Sequence, residues 1–234
     1  MHAIRNLSRI AFGRAAIRWA QLGFGRTSST STKQDTPRNL FGFKDGTANL
    51  KAEEKDDLDK FVWVQRGDDA GAEWMAGGSY LVARRINMHI ETWDRSSARE
   101  QENIVGRHRP LKVRRCQVAR SSRTEPDFRT EGPQWADHSG FHTCAWLTQT
   151  STTAPRCCAA VNFTGRQQFS LGRLDAGLFF IAFVRDPDTH YIPMQTTLSA
   201  QDSMMEYLQH TGSGLFAVPP GVKKGEYVGQ SLFT

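Results

Sequence analysis

Within Ser79–Trp93, Ile86, Met88 and Ile90 alternate with Arg85, Asn87, His89 and Glu91. A period of two places every second side chain on the same face, so this stretch predicts a β-strand with one buried side. A strand of that kind needs partner strands and a covering layer before it is stable. The continuous apolar run Leu178–Val184 predicts a second, more deeply buried strand, expected in the same antiparallel sheet. Phe61–Gln65 reads as a further short strand, and Phe41–Gly46 as a glycine-bounded turn. Helical signals lie between them. Ser97 with Glu100 three residues later is a capping box for a helix ending near Gly106. Ser199 with Asp202 predicts another helix, running to about His210 and closed by Gly212. Leu50–Leu58 is charged and reads as helical, and residues 2–24 read as a helix or strand remnant leading into a loop through Pro37. Strands and helices mix without a regular βαβ rhythm, which makes the fold class α+β.

A length of 234 residues suits one large domain or two small ones. The formal charge of +6 is a modest basic excess, read as a solvated surface rather than a nucleic-acid site. No apolar run reaches the roughly 18–20 residues of a membrane span. The first acidic residue is Asp35, preceded by Arg5, Arg9, Arg14, Arg18, Arg26 and Lys33 and by the Ser/Thr-rich stretch Thr27–Thr32. That pattern describes an organelle transit peptide. The competing reading, an internal piece of a folded domain, is favoured because the motifs below run through these residues. No hydrophobic signal core follows Met1, so no export signal is expected within the chain itself.

Residues 110–161 stand apart. They hold all four cysteines, Cys116, Cys144, Cys157 and Cys158, with no CxxC pair, and the vicinal pair is a poor zinc clamp. No helical or strand period survives more than a few residues. Loops of that length are uncommon inside compact domains, so the segment is atypical, with low helix and strand content expected.

Gly42-Phe43-Lys44-Asp45-Gly46-Thr47 is a GxxDG turn with Asp45 at its apex. Alone it is an ordinary Asp-Gly turn. In its surroundings, Pro37 through Asn49, it resembles the distal haem segment of the dye-decolourising (DyP-type) peroxidases. Gly77 through Ile86 with Trp93-Asp94-Arg95, Glu100-Gln101-Glu102 with Gly106-Arg107, and Gly172 through Ile181 resemble the same family in the same order. The tail His210 through Ala217 with Pro219-Pro220-Gly221 is similar to its deferrochelatase-like branch. The resemblance covers about residues 2–109 and 162–234. It implies a ferredoxin-like antiparallel sheet with helices, residues 39–234 forming the haem-binding domain and 1–38 a remnant of a first such domain with its linker.

It also implies haem b with one iron, hydrogen peroxide as oxidant, a dye or porphyrin-like reductant and iron release from haem. Intact relatives would be homo-oligomers in the periplasm or cell envelope; a cytoplasmic setting is the alternative. By the same resemblance Asp45 is the acid–base catalyst, Gly46, Thr47 and Ala48 lie against the haem edge, and Leu178 and Phe180 cover its distal face. For Leu178 and Phe180 a plain core role is an equal alternative.

The family's proximal His-(Val/Ile)-Arg-Leu-Ala-His-Pro and distal Leu-Arg-Arg-Gly-Tyr stretches are missing from their expected places, Thr143–Thr150 and Arg156–Val161. Codons exist for Thr143–Thr150 that, read from one nucleotide earlier, spell His-Val-Arg-Leu-Ala-His-Pro-Asp. The same slip turns Arg156–Val161 into Leu-Leu-Arg-Arg-Gly. Much of 110–161 is therefore expected to be out of frame, which accounts for the cysteines and the lost period. His142 is the histidine nearest the axial-ligand position, with His138 a weaker substitute and an ordinary solvent-facing role the competing reading for His142. The alternative to an active peroxidase is an impaired fragment with residual haem binding.

Overall fold

The computed structural model describes residues 2–25, 31–33, 37–45, 49–68, 71–106, 157–168 and 174–233. After helices α1 (His2–Ile10) and α2 (Lys55–Phe61), strand β1 (Ser79–Met88) leads into helices α3 (Ile90–Arg95) and α4 (Ala98–Val105). Strands β2 (Cys157–Gln168) and β3 (Leu174–Val184) follow, then helices α5 (Pro187–His190) and α6 (Ile192–Gln201), a 3-10 turn (Ser203–Tyr207) and strand β4 (Leu208–Val218). The sheet order is β2-β3-β1-β4, with every neighbouring pair antiparallel. From β1 onward the chain runs βαββαβ with its first and third strands central, which is the ferredoxin-like arrangement. The two strands expected to share a sheet are its central pair, in register from Tyr80 opposite Val184 to Asn87 opposite Gly177.

Several boundaries differ from the sequence reading. The strand expected over Ser79–Trp93 stops at Met88. Ile90 and Trp93 lie three residues apart, a helical spacing, and Trp93 N donates to His89 O at 3.0 Å inside α3. Phe61–Gln65 is not a strand: Phe61 ends α2, which begins at Lys55 rather than near Leu50. Val64 nevertheless pairs locally, its N–H donating to Gly78 O and its carbonyl accepting from Gly77 N. The helix expected from Ser199 to His210 is also corrected. Helix α6 ends at Gln201, the Asp202 carboxylate caps only the 3-10 turn by accepting from Met204 N, and the chain from Leu208 is strand β4. The capping box behaves as read: Ser97 Oγ accepts from Glu100 N, and Gly106 closes α4 in the left-handed conformation at φ 72°. Of the atypical segment, residues 157–161 are strand, paired from Cys157 opposite Phe183 to Val161 opposite Phe179. The expected low strand content fails there, because main-chain pairing to a central strand does not require a periodic side-chain pattern. The rest of 110–156 lies outside the described residues.

Strand alternation divides the sheet into two faces. The first carries Val82, Ala182 and Val184 against Tyr191, Met194 and Leu198, so that α6 covers one end. At the other end Met88 packs with Phe41, Phe43, Trp93, Val105 and Tyr207. On the second face Arg85 Nη2 meets Oδ1 and Oδ2 of Asp175 at 2.6 and 2.8 Å, with its guanidinium 4.3 Å from the centre of the Phe163 ring. This half-buried clamp spans three strands, and Phe163 fits beneath it because its partner is Gly177. A Cβ at Gly177 would stand 2.0 Å from Ile86 O and 2.8 Å from Phe163 Cζ. The segment after α1 lies along this face, Trp19 reaching Phe179 and Gln21 Oε1 accepting from Arg85 Nε. No helix among the described residues is long and apolar enough to cross a membrane.

Candidate active site

The aspartate-bearing turn is a small hairpin folded around Asn39. Its Oδ1 accepts from Phe41 N at 3.1 Å and Phe43 N at 3.3 Å, while Asn39 N donates to Phe43 O. An Asn that gathers nearby main-chain donors substitutes for a regular ladder. Gly42 makes the reversal at φ 84°, and its carbonyl accepts from Arg38 Nη1 at 2.6 Å. The backbones of Arg38 and Lys44 pair as a single antiparallel β-bridge, and Asp45 N donates to Pro37 O at 2.9 Å. The turn is fastened by its two phenylalanines. Phe41 stacks on Trp93 with ring centres 4.4 Å apart, and Phe43 meets the same indole edge-on at 6.2 Å. Asp45, half-buried, is thereby held at the α3 end of the first face.

Leu178 packs against this same aromatic cluster, so the structure brings it together with the aspartate turn. Phe180, on the same face, packs instead against the α6 cluster, its ring 6.5 Å from that of Tyr191. Between the two clusters runs a strip where Arg84 stands opposite Phe180 and Ile86 opposite Leu178. On the next strand Ser213 pairs with Arg84 and His210 with Ile86, a bulge at Thr211 separating them. Arg84 Nη1 donates to Tyr191 Oη at 3.1 Å and its Nε to Ser213 Oγ at 3.2 Å. Burial, and then the Arg84 guanidinium, push the His210 imidazole down to about 4.

A histidine held neutral in the folded state opposes acid. The unfolded chain takes up a proton near the ordinary value of 6.5 and the folded chain only near 4, so the unfolded state binds more protons in between. Stability contributed by neutral His210 is present above about pH 6.5 and lost as pH falls through 4. Melting temperatures from pH 7 to 4 should fall less steeply in His210→Gln than in the parent; parallel profiles would sink this.

Gly46, Thr47, Ala48 and His142 lie outside the described residues. The sequence reading missed the anchoring role of Trp93 and the meeting of Arg84 with His210. The first had a trace in the Trp93-Asp94-Arg95 motif; the second had none, because it depends on the pairing of β1 with β4. For a haem ring the described strip offers an apolar floor in Leu178 and Phe180 and a cation, Arg84, without a carboxylate partner among the described residues. That donor set fits a flat apolar ring with acidic substituents.

A family model described as Dyp-type peroxidase, C-terminal, matches residues 36–223. The chain is 34% identical to a dye-decolorizing peroxidase of Thermobifida fusca (strain YX), the match covering 98% of this chain and 53% of the relative. It is 30% identical to a deferrochelatase of Escherichia coli (strain K12), covering 99% of this chain and 55% of that one. Among solved structures, ferric DtpA from Streptomyces lividans superposes with a TM-score of 0.79 at 32% identity, over 99% of this chain and 62% of the other. The chain spans about half the length of the curated relatives it matches.

Proposed function

Because the chain belongs to the Dyp-type peroxidase C-terminal family, we propose that it is the haem-carrying part of an oxidoreductase that reduces hydrogen peroxide at the expense of a one-electron donor. The observation that carries this reading is the aspartate turn, fixed by Phe41 and Phe43 on Trp93 at the end of the strip lined by Leu178. Haem b, when bound, supplies the redox centre. With haem in place, the Asp45 carboxylate would take a proton from hydrogen peroxide and return it to the oxygen that leaves as water, acid–base work suited to a half-buried carboxyl. Leu178 and Phe180 would keep water from the ring, and the family resemblance implies that Gly46, Thr47 and Ala48 would border its edge. The dye or porphyrin class of donor, iron release from haem, a homo-oligomeric assembly and a periplasmic or cell-envelope setting rest on the resemblance to the dye-decolourising and deferrochelatase-like relatives.

The test is Asp45→Asn in the haem-loaded chain read in the shifted frame across 110–161. Peroxide consumption should slow by about 10²-fold or more, with the haem absorption band unchanged. An unaltered rate would remove Asp45 from the chemistry.

A further inference from the structure

Arg84 and Arg85 are neighbours on β1 and point to opposite faces, and the fold treats them differently. Arg85 is neutralised by both oxygens of Asp175. Arg84, also half-buried, reaches only the hydroxyls of Tyr191 and Ser213 and forms no ion pair among the described residues. A partly desolvated guanidinium normally gains from a carboxylate partner. Beside it, the His210 ring makes no hydrogen bond to any described residue, and burial and the Arg84 charge favour its neutral form. Both stand at the margin of the surface formed by Phe180, opposite Arg84, and Leu178, opposite Ile86.

We propose that Arg84 and His210 form a carboxylate-binding subsite at the edge of the Leu178–Phe180 floor, and that its ligand is a carboxylate carried by a porphyrin ring lying on that floor. The inference rests on the haem reading above and adds the residues that orient the ring. Arg84 donates through the guanidinium N–H groups that its two hydroxyl contacts leave over. His210 takes up a proton when the anion arrives and donates from its ring, so ligand binding is accompanied by proton uptake.

The experiment titrates the full chain at pH 7 with metal-free protoporphyrin IX and with its dimethyl ester, read by quenching of protein fluorescence, so that no axial ligand is involved. The diacid should bind about tenfold more tightly than the diester. Arg84→Gln should abolish that preference while leaving diester binding unchanged, and Arg84→Lys should keep part of it. His210→Gln, which leaves the Tyr191 and Ser213 contacts intact, serves as the second variant and should reduce the preference several-fold. In NMR titrations the His210 ring should protonate at higher pH with the diacid present and not with the diester. Equal affinity for diacid and diester, or equal weakening of both in Arg84→Gln, overturns the proposal and leaves the haem reading intact. Binding of neither ring overturns both. Benzoate that shifts the His210 titration as strongly as the diacid, without any porphyrin preference, assigns the subsite to free carboxylates and overturns the porphyrin source.

Discussion

Trp93→Ala should destabilise the domain by about 3–5 kcal/mol. The indole is fully buried at 0% exposure and meets the rings of Phe41, Phe43 and Tyr207, the last edge-on at 5.0 Å. Removing it opens a cavity bounded by three rings that cannot collapse together, since each is fixed to a different part of the chain. Phe41 and Phe43 belong to the hairpin around Asn39, and Tyr207 ends the 3-10 turn before β4. Ring pairs contribute about 0.5–1.5 kcal/mol each beyond the area they bury. Domains of this size have roughly 5–15 kcal/mol in all, so the variant should melt about 10 °C lower and unfold at a clearly lower urea concentration. The aspartate turn should loosen first, because its packing on the sheet passes through the indole. Trp19→Ala is the control: that residue is 65% exposed and its ring stands 6.2 Å from that of Phe179, and its loss should cost less than about 1 kcal/mol. Equal melting temperatures for Trp93→Ala and the parent would show that the aromatic cluster does not hold the turn.

The contrast between these two tryptophans marks what could be read from the chain. The central pair β1 and β3 was legible because Ile86 and Met88 alternate and Leu178–Val184 is apolar throughout, both direct consequences of burial on a sheet. The α4 boundaries were legible because Ser97 and Gly106 act locally. Strand β4 was not. Its stretch His210-Thr211-Gly212-Ser213-Gly214 lacks the apolar alternation that identifies a strand, and only its pairing with β1 makes it one. Gly212, read as a helix stop, is the residue opposite Arg85. The end of β1 was overrun for a related reason: Ile90 fits a period of two from Met88 and a spacing of three to Trp93 equally well. In the candidate site, Asp45 and Leu178 were reached through family motifs, and Leu178 packs against the cluster that holds Phe41 and Phe43 of the turn. The meeting of Arg84 and His210 could not be read, because it exists only once a bulge at Thr211 turns His210 to the first face. The onset of β2 at Cys157 follows the same rule, since β3 dictates the conformation of a neighbour whose own composition does not announce it.

That strand gives the frame-slip argument a structural setting. Arg156–Val161, the stretch that a one-nucleotide shift converts to Leu-Leu-Arg-Arg-Gly, overlaps the start of β2, where Cys158 pairs with Ala182 and Ala160 with Phe180. Ala182 and Phe180 belong to the first face. Read in the shifted frame, this stretch would put its arginine pair into β2 at the register of Phe180 and Ile181. An arginine there would stabilise negative charge as peroxide is cleaved, and the histidine of His-Val-Arg-Leu-Ala-His-Pro-Asp, which the same shift would supply, could hold a haem iron and tune its electronic character. A chain read in the shifted frame across this segment should retain haem stoichiometrically through gel filtration and show an intense Soret band, while the chain as written retains much less. Peroxide-dependent dye oxidation should rise by about 10²-fold or more, the scale on which a single charge-stabilising group acts. Placing only the arginine pair in β2 should leave haem retention low, and placing only the histidine stretch should restore retention but little turnover, because the two groups serve different steps. Equal haem retention by the written and shifted chains, lost from the written chain in His142→Ala, would overturn this account and make His142 the working ligand.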